Sequence, residues 1–210
     1  MQPNWLSRVK TPEFRICKED KVRGDYNTGM DYPKIAQEII DMAETDQEIR
    51  KGSQIRNRKF DKNIDIKNTK RLKQIINKLG GWPTINLVGE EAAYAAWLIV
   101  QHADHDVEFQ EKCLALMLKN KEGVLLSNIA YLTDRVAINQ GKMQTYGTQF
   151  GINDEGKLAA KPIRNLNYLE KRRKEIGLET FVIYEEKMKG EYKWLEGYEN
   201  PKVGRFDKSS

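Results

Sequence analysis

Gly89-Glu90-Glu91-Ala92-Ala93-Tyr94-Ala95-Ala96-Trp97-Leu98-Ile99-Val100-Gln101-His102-Ala103-Asp104-His105-Asp106 is the stretch on which the fold turns. Its apolar residues are too many for a surface element, and their spacing predicts a helix from Glu90 to about Ala103, the most hydrophobic of the chain. Glu90 and Glu91 place two carboxylates in the first turn, where the helix dipole favours them. At the far end the chain turns abruptly polar and spends both of its histidines, His102 and His105, among Asp104 and Asp106. Histidine is the side chain whose proton exchanges near neutral pH, so this end of the helix is the first candidate for chemistry.

Working outward toward the N-terminus, Trp82 to Gly89 reads as a connecting loop with buried anchors. A helix over Ile66–Leu79 uses Leu72, Ile75, Ile76 and Leu79 and stops at Gly80-Gly81. Residues 52–65 are polar and basic and read as a loop. A helix from about Tyr32 to Lys51 carries Ile35, Ile39, Met42 and Ile49, and residues 1–31 lack periodicity and read as an irregular arm. Toward the C-terminus, Asp106 is a suitable N-cap for a helix over Val107–Leu118, and Ser127 for one that runs to Gln140 and stops at Gly141. The texture then changes. Gln144–Gly151 reads as a strand, Asn153–Gly156 as a turn and Lys157–Ile163 as the returning strand. Helices over Asn167–Ile176 and Thr180–Met188 follow, and 189–210 reads as a tail. The expectation is a mainly α protein: an irregular bundle of six to seven helices with one small β-hairpin near 144–163, in a single domain over 32–188.

Composition sets the class. The chain has 210 residues, 39% hydrophobic, a mean hydropathy of −0.73 and a formal net charge of +5. Residues 1–23 have no apolar segment of the secretory type. The longest apolar run, Ala92–Val100, is far shorter than the roughly 20 residues a membrane span needs. Cys17 and Cys113 build neither a disulfide framework nor a four-ligand zinc site. A cytoplasmic, reducing setting without membrane contact is expected. Positive charge gathers between Lys51 and Lys73, where nine Lys/Arg face only Asp61 and Asp65, and again in Lys171-Arg172-Arg173-Lys174. A solvated face is the preferred reading, with a nucleic-acid contact through 51–73 as the alternative.

Three helical stripes break pattern. The row Ile35, Ile39, Met42 continues to Asp46, and its neighbour Ala36, Ile40, Ala43 continues to Gln47 and Arg50. The row Ala92, Ala95, Ile99 continues to His102, and Asp134 lies between Ala130 and Ile138. A buried charge without a partner is costly, so these groups are expected to meet in one polar cluster or to line a wetted pocket. His102 as a general base needs a carboxylate to orient its far nitrogen, and Asp134 or Asp46 suits that role. If the helix continues through residue 106, His102, His105 and Asp106 share a face. Helical His-x-x-His is a weaker metal pattern than His-Glu-x-x-His, and no metal or other cofactor is assigned, a divalent ion being the only one the pattern leaves open. Read as a strand, Gln144, Tyr146 and Thr148 point one way and Thr145, Gly147 and Gln149 the other, either set suited to a polar ligand. Gly-rich phosphate loops, Gly-x-Ser-x-Gly elbows and Cys-x-x-Cys pairs do not occur.

Asp46-Gln47-x-x-Arg50, Gly81-Trp82-Pro83-Thr84, Gln101-His102-Ala103-Asp104, Leu132-Thr133-Asp134-Arg135 and Tyr146-Gly147-Thr148-Gln149-Phe150 together resemble a widespread bacterial family known only as a domain of unknown function. The resemblance covers roughly residues 35–185. It implies a shared fold and the recurrence of these polar residues, and it carries no activity with it.

Two functional classes follow. One is an enzyme, a hydrolase or transferase for a small polar or phosphorylated substrate. In it His102 is the general acid/base, with Asp134, Arg135 and Asp104 as further catalytic residues, and Asp46, Gln47, Arg50, Gln101, Gln144, Tyr146, Thr148 and Gln149 hold the substrate. Against it stands the lack of a recognisable nucleophile. The other is a non-catalytic module that binds a nucleotide, peptide or protein partner. A purely structural polar network is the blandest alternative.

Overall fold

A computed structural model describes residues 29–55 and 62–192. Most of the arm expected at 1–31, the Arg56–Asp61 part of the basic segment, and the end of the tail lie outside these residues. So does Cys17. Within them the protein is mainly helical, with eight α-helices and one two-stranded antiparallel sheet. The helices are α1 Tyr32–Ile55, α2 Asn63–Leu79, α3 Ile85–Val88, α4 Glu90–Gln101, α5 Val107–Lys119, α6 Leu126–Asn139, α7 Leu169–Glu175 and α8 Phe181–Glu191. None of them is long and apolar enough to cross a membrane.

The apolar stretch that begins at Glu90 is the hub. Helices α1, α2, α3, α5 and α6 all pack against α4. Ala92, Ala95, Ala96, Ile99 and Val100 are almost wholly buried there, and the small alanines allow close approach of neighbouring backbones. Ile35, Ile39 and Ala43 of α1, Leu72, Ile75 and Ile76 of α2, Cys113 and Met117 of α5, and Ile129, Ala130 and Leu132 of α6 complete the core. Trp82, 2% exposed, closes one end of it.

Several boundaries differ from the sequence reading, each for a physical reason. Helix α1 continues past Lys51 to Ile55, and α2 begins at Asn63 rather than Ile66. The added residues are Gly52 to Ile55 and Asn63 to Asp65, so polar composition alone did not mark the helix ends. The Trp82–Gly89 loop contains the single-turn α3. Helix α4 stops at Gln101, so His102 is its C-cap and the face expected to join His102, His105 and Asp106 does not form. Asp106 caps α5 as expected, its Oδ1 accepting from the Phe109 amide at 3.1 Å. Ser127 does not cap α6: the helix starts at Leu126, with Leu125 at the cap position and no side-chain cap bond.

The hairpin is shorter than expected. Its strands are β1 Phe150–Ile152 and β2 Leu158–Ala160, paired Phe150 to Ala160 and Ile152 to Leu158. The turn between them is held by Asn153, whose Oδ1 accepts from the amides of Glu155 and Lys157 at 3.0 and 2.9 Å. Residues 145–149 are not strand, because the amides of Thr145, Tyr146 and Thr148 bond to the Asp134 carboxylate and that of Gln149 to Gln144 Oε1 instead of to a neighbouring strand. Only Gln144 pairs in strand fashion, in one parallel bridge to Ile163. The alternation of Gln144, Tyr146 and Thr148 against Thr145, Gly147 and Gln149 is therefore lost. Helix α7 is shorter than expected, and α8 runs to Glu191, past the boundary expected at 188.

Candidate functional site

Three helices bring one polar cluster together. Helix α1 supplies Asp46, Gln47 and Arg50, α2 supplies Asp65 from its first turn, and the end of α4 supplies His102. Asp46 is 1% exposed and sits at the centre. Its carboxylate accepts from His102 Nδ1 at 2.7 Å, from Arg50 Nε at 2.9 and 3.1 Å, and from Gln47 Nε2 at 2.9 Å. Arg50 also reaches Asp65 Oδ1 through a terminal nitrogen. Burial opposes charge on Asp46, yet the hydrogen bonds and charges of His102 and Arg50 outweigh it and hold its carboxyl below the usual range. For Asp65 the balance falls the other way. Burial dominates the attraction of Arg50, and its carboxyl is pushed up.

The geometry fixes the histidine. An ionised Asp46 only accepts, so the Nδ1 facing it carries the proton, and the lone pair of a neutral His102 resides on Nε2. No described residue hydrogen-bonds to Nε2, and the side chain keeps 19% of its exposure. An imidazole oriented by a buried carboxylate, with its second nitrogen bonded to no described residue, is the arrangement of a general base. Asp46, Asp65 and His102 are also the three metal-capable side chains found together among the described residues, with ligand atoms within 4.8 Å of one another.

Asp134 does not join this cluster. It is completely buried under the 145–148 loop, where it accepts from the amides of Thr145 (2.6 Å), Tyr146 (3.0 Å) and Thr148 (3.0 Å) and from the Thr148 hydroxyl (2.9 Å). It orients a loop, and Asp46 orients His102. The single shared cluster expected from the broken stripes is thus two clusters. A third is built around Asp104, which pairs with Arg135 through Nε at 2.8 Å and accepts from Asn139 at 2.8 Å. Burial works against the Asp104 charge, but Arg135, Asn139 and Gln110 hold its carboxyl below the ordinary range.

The remaining candidates are largely engaged inside the protein. Arg135 also donates to Gln149 Oε1 at 3.1 Å. Gln144 bonds the Gln149 backbone in both directions and the Lys161 carbonyl at 2.7 Å. Gln101, with its amide oxygen toward its donors, accepts from Trp97 Nε1 and the Leu132 amide. Tyr146 is the exception in its loop. It is half-buried, its hydroxyl bonds to no described residue, and burial and then the nearby Asp134 push its proton affinity up. A separate recess between α2 and α5 is lined by Lys73, Asn77, Asp106, Phe109, Lys112 and Cys113 and does not include His102. Burial pushes the Cys113 thiol up, away from the thiolate that a nucleophile needs.

Two residues escaped the sequence reading. Asp65 was placed in a basic loop, although its spacing to Thr69 and Leu72, both buried, puts it on the inward stripe of α2. Arg173 was counted in a basic surface run but is 1% exposed. It donates to the carbonyls of Glu179 and Tyr146 at 2.8 and 2.5 Å, while Arg172 donates to that of Thr145 at 2.8 Å. Half of the 171–174 charge run is therefore internal structure.

A helical domain built around one alanine-rich helix, with an Asp-oriented histidine at its end, defines the class. The chain belongs to a family of unknown function, DUF6624, which it matches over residues 33–194. No curated protein and no solved structure matches it.

Proposed function

We propose that the protein is an enzyme, a hydrolase or transferase, in which His102 moves a proton through Nε2 and Asp46 holds it in the required tautomer. The observation that carries this reading is the 2.7 Å contact from His102 Nδ1 to the buried Asp46 carboxylate, with Nε2 bonded to no described residue. Proton transfer by a positioned side chain contributes about 10²- to 10⁴-fold to a rate. Arg50 is occupied by Asp46 and Asp65, and two carboxylates stand against that one guanidinium. The substrate the site would take is a small polar or phosphorylated molecule. Tyr146 stands on a loop whose amides are held by Asp134 and whose carbonyls are held by Arg172 and Arg173, a rigid mount for a ligand contact of its own, apart from the His102 cluster. A second reading, a non-catalytic module for a nucleotide, peptide or protein, draws on that same rigid loop.

The test is turnover of a mixed metabolite pool and of chromogenic ester, amide and glycoside panels, followed by mass spectrometry and absorbance. His102→Asn is expected to lower the rate about 10²-fold or more while leaving ligand affinity nearly unchanged. Wild-type turnover in His102→Asn overturns the proton-transfer role. Ligand binding without turnover in the wild type supports the module.

A further inference from the structure

We propose that Asp46, Asp65 and His102 form a site for one divalent transition-metal ion, which takes the place that the Arg50 guanidinium now holds between the two carboxylates. The three ligand atoms come from three different helices and lie within 4.8 Å of one another, so the frame is set by the packed core. One imidazole nitrogen and two carboxylate oxygens suit Zn²⁺ or Mn²⁺ better than Mg²⁺, which prefers oxygen alone.

Charge supports the exchange. With Arg50 in place, two carboxylates and one guanidinium meet among the described residues, and these groups sum to −1 when His102 is neutral. A divalent ion would bring the same ligands to neutrality. Arg50 can leave, because its side chain is already 26% exposed on a long flexible stem.

This inference goes beyond the proton-transfer reading. An ion on the imidazole would withdraw His102 from general-base work, so ion loading and turnover would compete.

The experiment is calorimetric titration of the full chain with Zn²⁺, Mn²⁺ and Mg²⁺, in a Cys17→Ser background so that a thiol does not bind the zinc. We expect one Zn²⁺ or Mn²⁺ per chain and much weaker Mg²⁺ binding. Affinity should fall about tenfold or more in Asp65→Asn and in His102→Ala, and stay unchanged in His105→Asn. Arg50→Gln removes the competing cation and should bind the ion more tightly, an outcome that misfolding cannot imitate. No binding at millimolar ion overturns the proposal. So does binding that is insensitive to Asp65→Asn and Arg50→Gln, or binding that is lost in His105→Asn. Absent ion binding alongside lost turnover in His102→Asn would sink the metal site alone. Ion binding alongside undiminished turnover in His102→Asn would sink the general base alone.

Discussion

Asp134 shows how much one buried carboxylate can organise. Removing it leaves the amides of Thr145, Tyr146 and Thr148 and the Thr148 hydroxyl without their acceptor in the interior. Breaking a buried charged network of this kind costs about 3–5 kcal/mol. Asp134→Ala is therefore expected to lose that much in urea unfolding, and a loss below about 1 kcal/mol would contradict the assigned role. His102 is different, since Nε2 has no hydrogen-bond partner among the described residues. His102→Asn should cost far less stability than Asp134→Ala, although both residues break an apolar stripe. That contrast was not legible in the sequence. The stripes correctly located Asp46, Arg50, His102 and Asp134 as inward-facing polar groups. They could not say which group meets which, because pairing across helices depends on rotation and depth that one sequence does not carry.

At the scale of elements, the 144–149 segment is the instructive case. Its composition alternates like a strand, yet Asp134 takes its amides and Gly147 turns the chain with φ of +70°. A Cβ at Gly147 would lie 2.9 Å from the Phe181 ring and 3.1 Å from Ile163. Gly147→Ala thus combines backbone strain with a clash and is expected to cost about 1–3 kcal/mol, measurable by thermal denaturation. Gly123→Ala should also destabilise, because its Cβ would approach Thr84 Cβ to 2.7 Å although its backbone is unstrained. If both variants melt with the wild type, the packing of the hairpin and of the α5–α6 corner differs from that described. Helix existence was legible from apolar spacing for every helix but the single-turn α3. Helix ends were less so: Asp106 capped as its chemistry suggests, while Ser127 lost to a start at Leu126.

For the whole molecule, the charged clusters tie helices together and make stability depend on pH. Asp46 and Asp104 have carboxyls held below their ordinary value of 3.8, the first by His102 and Arg50 against burial, the second by Arg135 against burial. A group of that kind contributes stability that is fully present above its unfolded value and lost as pH falls through the folded one. Asp65, pushed up, has the opposite sign and partly offsets them. Unfolding free energy is therefore expected to fall as pH drops below 3.8, and Asp104→Asn should flatten that slope in urea titrations. An unchanged slope would show that the Asp104 cluster does not carry the dependence. The mainly helical class, the hub helix and the family membership were all readable from the chain, because apolar period and ordered motifs survive without coordinates. The three-helix meeting of Asp46, Asp65 and His102 was not, because Asp65 sat within a basic run that masked its stripe.

Asp46 fixes His102 with its proton on Nδ1. Long-range ¹H–¹⁵N correlation of the two imidazoles reads this directly, with His105→Asn supplying the assignment. The neutral form of His102 is expected as the Nδ1–H tautomer, shifting toward Nε2–H in Asp46→Asn. A wild-type His102 that is Nε2–H, or a tautomer indifferent to Asp46, would contradict the account.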